Sequence, residues 1–150
     1  MLSVIPDSFD VDSISYSEEE SWGFGPGGNE AGIRVYPFPE HIANEIAQRG
    51  IAFFNNLSLN NQTNKEWWQK RTWYQTPIVE NEHWKIREQT KKLDIHDYIC
   101  AYGFCININP TVVKDANEII NSKGSYYAYG RIGLIVVNPN KKLILYMYNG

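Results

Sequence analysis

Cysteine is scarce in this chain, with Cys100 and Cys105 the two among 150 residues. Two are too few for a disulfide framework, and there is no second pair to complete a zinc site. Both lie in an apolar stretch, so the expectation is a pair of buried free thiols. Long apolar runs are missing as well. Nothing approaches roughly 18 consecutive apolar residues, which excludes a membrane-spanning helix. The N-terminal residues reach Asp7 without a basic region. No secretory signal is therefore expected, and a cytoplasmic location is.

Histidine occurs three times, at His41, His83 and His96. None stands at the His-x-x-x-His or His-Glu-x-x-His spacing that would hold two imidazoles on one helix face. A Gly-x-Ser-x-Gly elbow is absent, and the sequence sets no serine, threonine or cysteine beside a base. These absences predict a protein that is not an enzyme and holds no metal or cofactor. An excess of positive charge is also lacking, since the chain carries 14 basic and 17 acidic residues for a net charge of −3. That argues against nucleic acid as a general partner.

What is present is an ordinary globular composition, 43% hydrophobic and 14% aromatic, in a length that suits one domain. The charge is uneven. Residues 1–40 carry eight acidic residues and one basic, a net −7, whereas residues 41–150 carry nine acidic and thirteen basic, a net +4. The expected organisation is a single domain over 1–150. In it an acidic arm and glycine-rich loop (1–32) pack on or beside a 33–150 core.

Within the arm, Phe9 to Ile14 reads as a short edge strand or extended segment, and Ser17 to Ser21 as a polar, acidic stretch. Gly23-Phe24-Gly25-Pro26-Gly27-Gly28 is a loop with unusual dihedrals. It matches neither the Gly-x-x-x-x-Gly-Lys phosphate loop nor a dinucleotide fingerprint, and Glu18 to Glu20 upstream would repel an anion. It reads as a structural turn, or as a partner-binding loop displaying Trp22 and Phe24.

Further on, Ile33 to Tyr36 is a short strand. Ile42, Ile46, Phe53 and Leu57 recur at helical spacing and favour one helix from Glu40 to Asn56; Gly50 interrupts the pattern and marks either close packing or the helix's end. Thr72 to Gln75 has strand character. Asp94 caps a helix over Ile95 to Tyr102. Phe104, Ile106 and Ile108 alternate as a strand, and a third helix runs from Thr111 or Val112 to Ser122. Tyr126 to Val137 and Lys142 to Tyr148 form a β-hairpin about an Asn138-Pro139-Asn140-Lys141 turn. Gly130 and Gly133 in its first strand signal a bulge or a close backbone approach. The predicted fold is α+β: a mainly antiparallel sheet with about three helices and a central C-terminal hairpin.

Two features have competing readings. Trp67, Trp68, Lys70, Arg71, Trp73 and Tyr74 interleave rings and cations, as a base-stacking surface does, but a core strand with snorkelling cations reads the same way. The acidic run is either a solvated arm or a docking surface for a basic protein.

Asn29-Glu30-Ala31-Gly32, Val35-Tyr36-Pro37-Phe38-Pro39, Tyr102-Gly103-Phe104 and Tyr126-Tyr127-Ala128-Tyr129-Gly130-Arg131 resemble phrases of small bacterial immunity proteins. Those proteins belong to polymorphic toxin systems, including contact-dependent growth inhibition. The resemblance implies a cytoplasmic antidote that binds a cognate toxin domain, commonly a basic nuclease, and blocks its active site. The partner-binding residues expected on that basis are Asp10, Asp12, Glu18, Glu19, Glu20, Trp22, Phe24 and Glu30. The alternatives are a small-ligand or enzymatic domain using the glycine-rich loop, and a nucleic-acid module using Trp67 to Tyr74.

Overall fold

In a computed structural model, residues 2–22, 29–57, 66, 68–101 and 105–150 are described. The protein is an α+β domain built on one six-stranded antiparallel sheet. The strands are β1 (Tyr16–Trp22), β2 (Asn29–Pro37), β3 (Tyr74–Gln75), β4 (Tyr126–Tyr129), β5 (Gly133–Asn138) and β6 (Leu143–Asn149). Their order is β1-β2-β6-β5-β4-β3. The C-terminal hairpin β5–β6 thus takes the centre, as the run of β-branched and aromatic residues predicts.

Both faces of that centre are covered. On one face Tyr36, Ala128, Ile135, Val137, Ile144, Tyr146 and Tyr148 pack against Phe9, Trp68, Trp73 and helix α1 (Glu40–Arg49). On the other, Ile33, Val35, Leu134, Val136, Leu145 and Met147 meet α2 (Ile95–Ile99), α3 (Pro110–Asn121) and the segment from Ile78 to Leu93. A strand buried on both faces loses the apolar–polar alternation of a half-solvated one. Leu134 to Val137 is accordingly an unbroken buried run.

Several elements differ from expectation. Phe9 to Ile14 forms no strand: Phe9, fully buried, closes the 3-10 turn Asp7–Phe9, and residues 10–14 join no strand. The Ser17 to Ser21 stretch is no detached arm: it lies within β1, paired along its length with β2. The predicted helix over Glu40 to Asn56 stops at Arg49. Gly50, at φ +59°, turns the chain out of the α-helix into a 3-10 segment over Gly50–Asn56. Residues 105–109 join no strand, although Ile106 and Ile108 are buried as their alternation required.

The first hairpin strand is in fact two, β4 and β5, joined by a tight turn in which Gly130 N–H donates to the Gly133 carbonyl at 2.7 Å. Gly130 is the close approach. A Cβ there would lie 1.9 Å from Glu66 Oε2. The buried Glu66 carboxylate accepts the Ile132 N–H in that turn at 3.2 Å.

The caps follow the sequence, but α2 ends at Ile99 and passes into a turn, short of the expected Tyr102. Asp94 accepts the His96 N–H at 2.9 Å, and Asn109 accepts the Thr111 N–H at 2.9 Å. No described helix is long and apolar enough to cross a membrane.

The cysteine expectation is overturned: Cys100 and Cys105 are bonded to each other, and Cys105 is exposed. The end of α2 and the segment after it run close enough to bring the two sulfurs together, which spacing alone did not reveal.

Candidate functional site

Strand alternation sorts the acidic residues of β1. Glu18 pairs with Ile33 and Glu20 with Ala31, so these two carboxylates lie on the face of α2 and α3. Glu19 pairs with Gly32 and projects to the opposite face. Three consecutive glutamates therefore do not form one patch.

Glu19 is occupied. Its carboxylate accepts from Arg34 Nη2 at 3.2 Å and from the Tyr148 hydroxyl. Gly32 makes this possible. In the register Glu19–Gly32–Tyr148, the phenol of Tyr148 crosses a position with no side chain, where a Cβ would come within 2.4 Å of its oxygen. Tyr146 lies likewise against Gly133 of β5, where a Cβ would be 2.5 Å from its ring.

The Arg34 guanidinium carbon sits 5.8 Å from the Tyr146 ring centroid and 5.2 Å from that of Tyr148. Burial works against the charge of Arg34, but a hydrogen bond with Tyr36 and the neighbouring Tyr148 and Glu19 leave its pKa raised. Burial, then the hydrogen bond to Glu19, pushes the Tyr148 hydroxyl up. Burial, then the Glu66 charge, does the same to Tyr146.

Among the described residues Glu18, Glu20, Asp12 and Glu30 make no ion pair. Asp10 lies 3.5 Å from His41 Nε2, both well exposed. Glu20, Asp12 and Glu30 are exposed and Glu18 is half-buried. Trp22, expected as an exposed anchor, is half-buried against the core. Phe24 and the loop over 23–28 lie outside the described residues, as does Trp67.

No protein-family model, curated protein or solved structure matches this chain. The site is therefore read from geometry alone.

Of the ring-and-cation stretch, Trp68 and Trp73 are buried, their indole N–H groups donating to the carbonyls of Val4 and Trp68. Neither ring is presented for stacking on a base; Tyr74 is exposed. The three histidines lie apart, beside Asp10, Glu82 and Asp94. Among the described residues no group of three or more His, Cys, Asp or Glu could hold a metal.

Sequence reasoning missed the Arg34–tyrosine cluster. The available signal was Gly32 and Gly133 inside strands opposite tyrosines of β6, which becomes visible once the register is known.

Proposed function

We propose that this protein is a binding module that engages a basic protein partner through the β1 edge, acting as the antidote of a bacterial toxin domain. The observation that carries this reading is the pair of carboxylates on Glu18 and Glu20, which lack cationic partners among the described residues and stand on an edge strand. An edge strand also presents unpaired backbone groups to which an extended partner segment can add. Fixed negative charge raises the association rate with a positively charged cleft more than it adds affinity. A nuclease, whose active site attracts phosphate, is the partner class that fits.

The antidote reading places the protein in the cytoplasm, where the Cys100–Cys105 pair would meet a reducing pool. Glu18 and Glu20 are held by β1–β2 pairing, which does not involve that bond. The test is co-expression with a candidate nuclease toxin domain taken from the reading frame next to this one. Growth should be rescued by the parent, and association of the purified proteins should slow with rising salt. Rescue that is lost on Glu18→Gln/Glu20→Gln supports the edge. Full rescue and an unchanged salt slope in that variant would place the interface elsewhere.

A further inference from the structure

A cavity of about 520 Å³ opens on the α2 side of the sheet. It is bounded by the Asn81–Trp84 turn, by Tyr98 of α2, and by the last residues of β4 and β6, Tyr129 and Asn149. The half-buried Tyr98 ring offers an aromatic face there, backed by buried Trp84 with ring centroids 5.1 Å apart. No lysine or arginine among the described residues lines it, and Glu82 supplies a carboxylate at its rim, 3.1 Å from His83 Nε2.

Beside the His83 ring and the Asn81 amide, the cavity presents several acceptors. Asn149 Nδ2 is committed to the Tyr98 carbonyl, which leaves its Oδ1 to accept. The Tyr129 hydroxyl is buried beside the Asn81 side chain, without a well-formed hydrogen bond. Burial, then Tyr127, raises its pKa to about 12 although Asn81 tempers the rise, so it stays neutral at physiological pH. A buried hydroxyl whose hydrogen bonding is incomplete is costly, so a ligand donor would be welcome there. Asn81 Oδ1 is engaged by the N–H groups of His83 and Trp84, at 2.8 and 3.0 Å. Asn149 also shares a cross-strand row with Glu20, through Ala31. Two strand spacings put them about 10 Å apart, near enough for Glu20 to add to the local negative potential.

We propose that this cavity binds a guanidinium group, against the half-buried Tyr98 ring, with Glu82, Asn149 Oδ1 and the Tyr129 oxygen as acceptors. Guanidinium is planar, weakly hydrated and donor-only, and it stacks on aromatic faces. The volume exceeds what an inorganic ion needs and falls in the range of small-molecule sites. The group is carried either by a free guanidino compound or by an arginine of a protein partner. The cavity's chemistry is independent of whether the β1 edge docks anything.

The test titrates the full chain, labelled with nitrogen-15, with N-acetyl-arginine amide, agmatine and the uncharged N-acetyl-citrulline amide. Saturable shifts are expected at the Asn149 side-chain amide and the Trp84 indole. Glu82→Gln and Tyr129→Phe, which remove no core packing, should each weaken binding by about five- to tenfold. Citrulline amide should bind at least about tenfold more weakly than arginine amide. Tighter binding of arginine amide than of agmatine assigns a peptide-borne arginine, and the reverse order assigns a free guanidino compound. The proposal is overturned by equal binding of citrulline and arginine amides, by parent-like binding of both variants, or by no shift at about 10 mM ligand.

Discussion

The phenol of Tyr148 lies across Gly32 and hydrogen-bonds Glu19 one strand further on. Three strands are tied by one side chain, and the tie exists because the middle strand carries no Cβ at that point.

Substituting Gly32 tests that arrangement. A Cβ would also stand 2.9 Å from the Glu18 carbonyl oxygen, which is backbone and cannot swing away. Gly32→Ala should cost roughly 1–3 kcal/mol in urea denaturation. Gly130→Ala should cost more, because its Cβ would enter the space of the buried Glu66 carboxylate. Equal stability of parent and both variants would show that these approaches are not tight in solution.

The three glutamates of β1 should separate by face. Glu19→Gln removes the charge that Arg34 and Tyr148 share and should cost about 1–2 kcal/mol of stability. Glu18→Gln and Glu20→Gln should change stability by no more than about 0.5 kcal/mol. Thermal melts of the single variants decide this, and a melt of Glu19→Gln like that of Glu20→Gln would contradict it.

Alkaline pH should destabilise the fold through its tyrosines. Burial raises the hydroxyl pKa of Tyr129, Tyr146 and Tyr148 above 10.0. Their contribution is complete below the unfolded value. As pH rises past it, the unfolded chain ionises first and stability falls, until the folded-state values are reached. Each such tyrosine adds a slope of at most about 1.4 kcal/mol per pH unit. Denaturation midpoints between about pH 9 and 11.5 should fall steeply in the parent and less so in Tyr148→Phe. A flat profile would remove these hydroxyls from the account.

Reduction of the Cys100–Cys105 bond should have a modest effect, since the loop it closes is short. With a sequence separation of 5, loop-closure entropy gives about 2 kcal/mol. A melt with and without reductant, repeated on Cys105→Ser, measures it. An unchanged melt in both would show that the bond does not constrain the unfolded chain.

Local chemistry read from the sequence located what local chemistry controls. Asp94 as a cap, the Ile95 helix, the α3 periodicity and the central hairpin are all set within a few residues. The misreadings share a different origin. Ser17 to Ser21 looks like a solvated arm because β1 is an edge strand half open to water, and pairing with a distant partner makes it a strand. Gly50 interrupts the helical pattern without saying whether the helix goes on, and its positive φ, which ends the helix, is invisible in the spacing. The division of Glu18 and Glu20 from Glu19 follows from a period of two once a strand is assumed. The Asn81–Trp84, Tyr98, Tyr129 and Asn149 cavity gathers residues from four separate segments, and no window of sequence holds more than one wall of it.

The sheet order also dictates when the molecule can be assembled. β6 is made after every other strand, yet it stands between β2 and β5. Until it emerges from the ribosome, the β1–β2 hairpin has no neighbour to join, and Ile33 and Val35 have no sheet to share. At roughly 5–20 residues per second, the interval between making β2 and β6 is on the order of ten seconds. During that time a β2 edge that will later be central is left unpaired, the state in which strands pair wrongly with other chains. The charges on Glu18, Glu19 and Glu20 stand on β1, one strand away from that open edge, and charge near an unpaired edge works against such pairing.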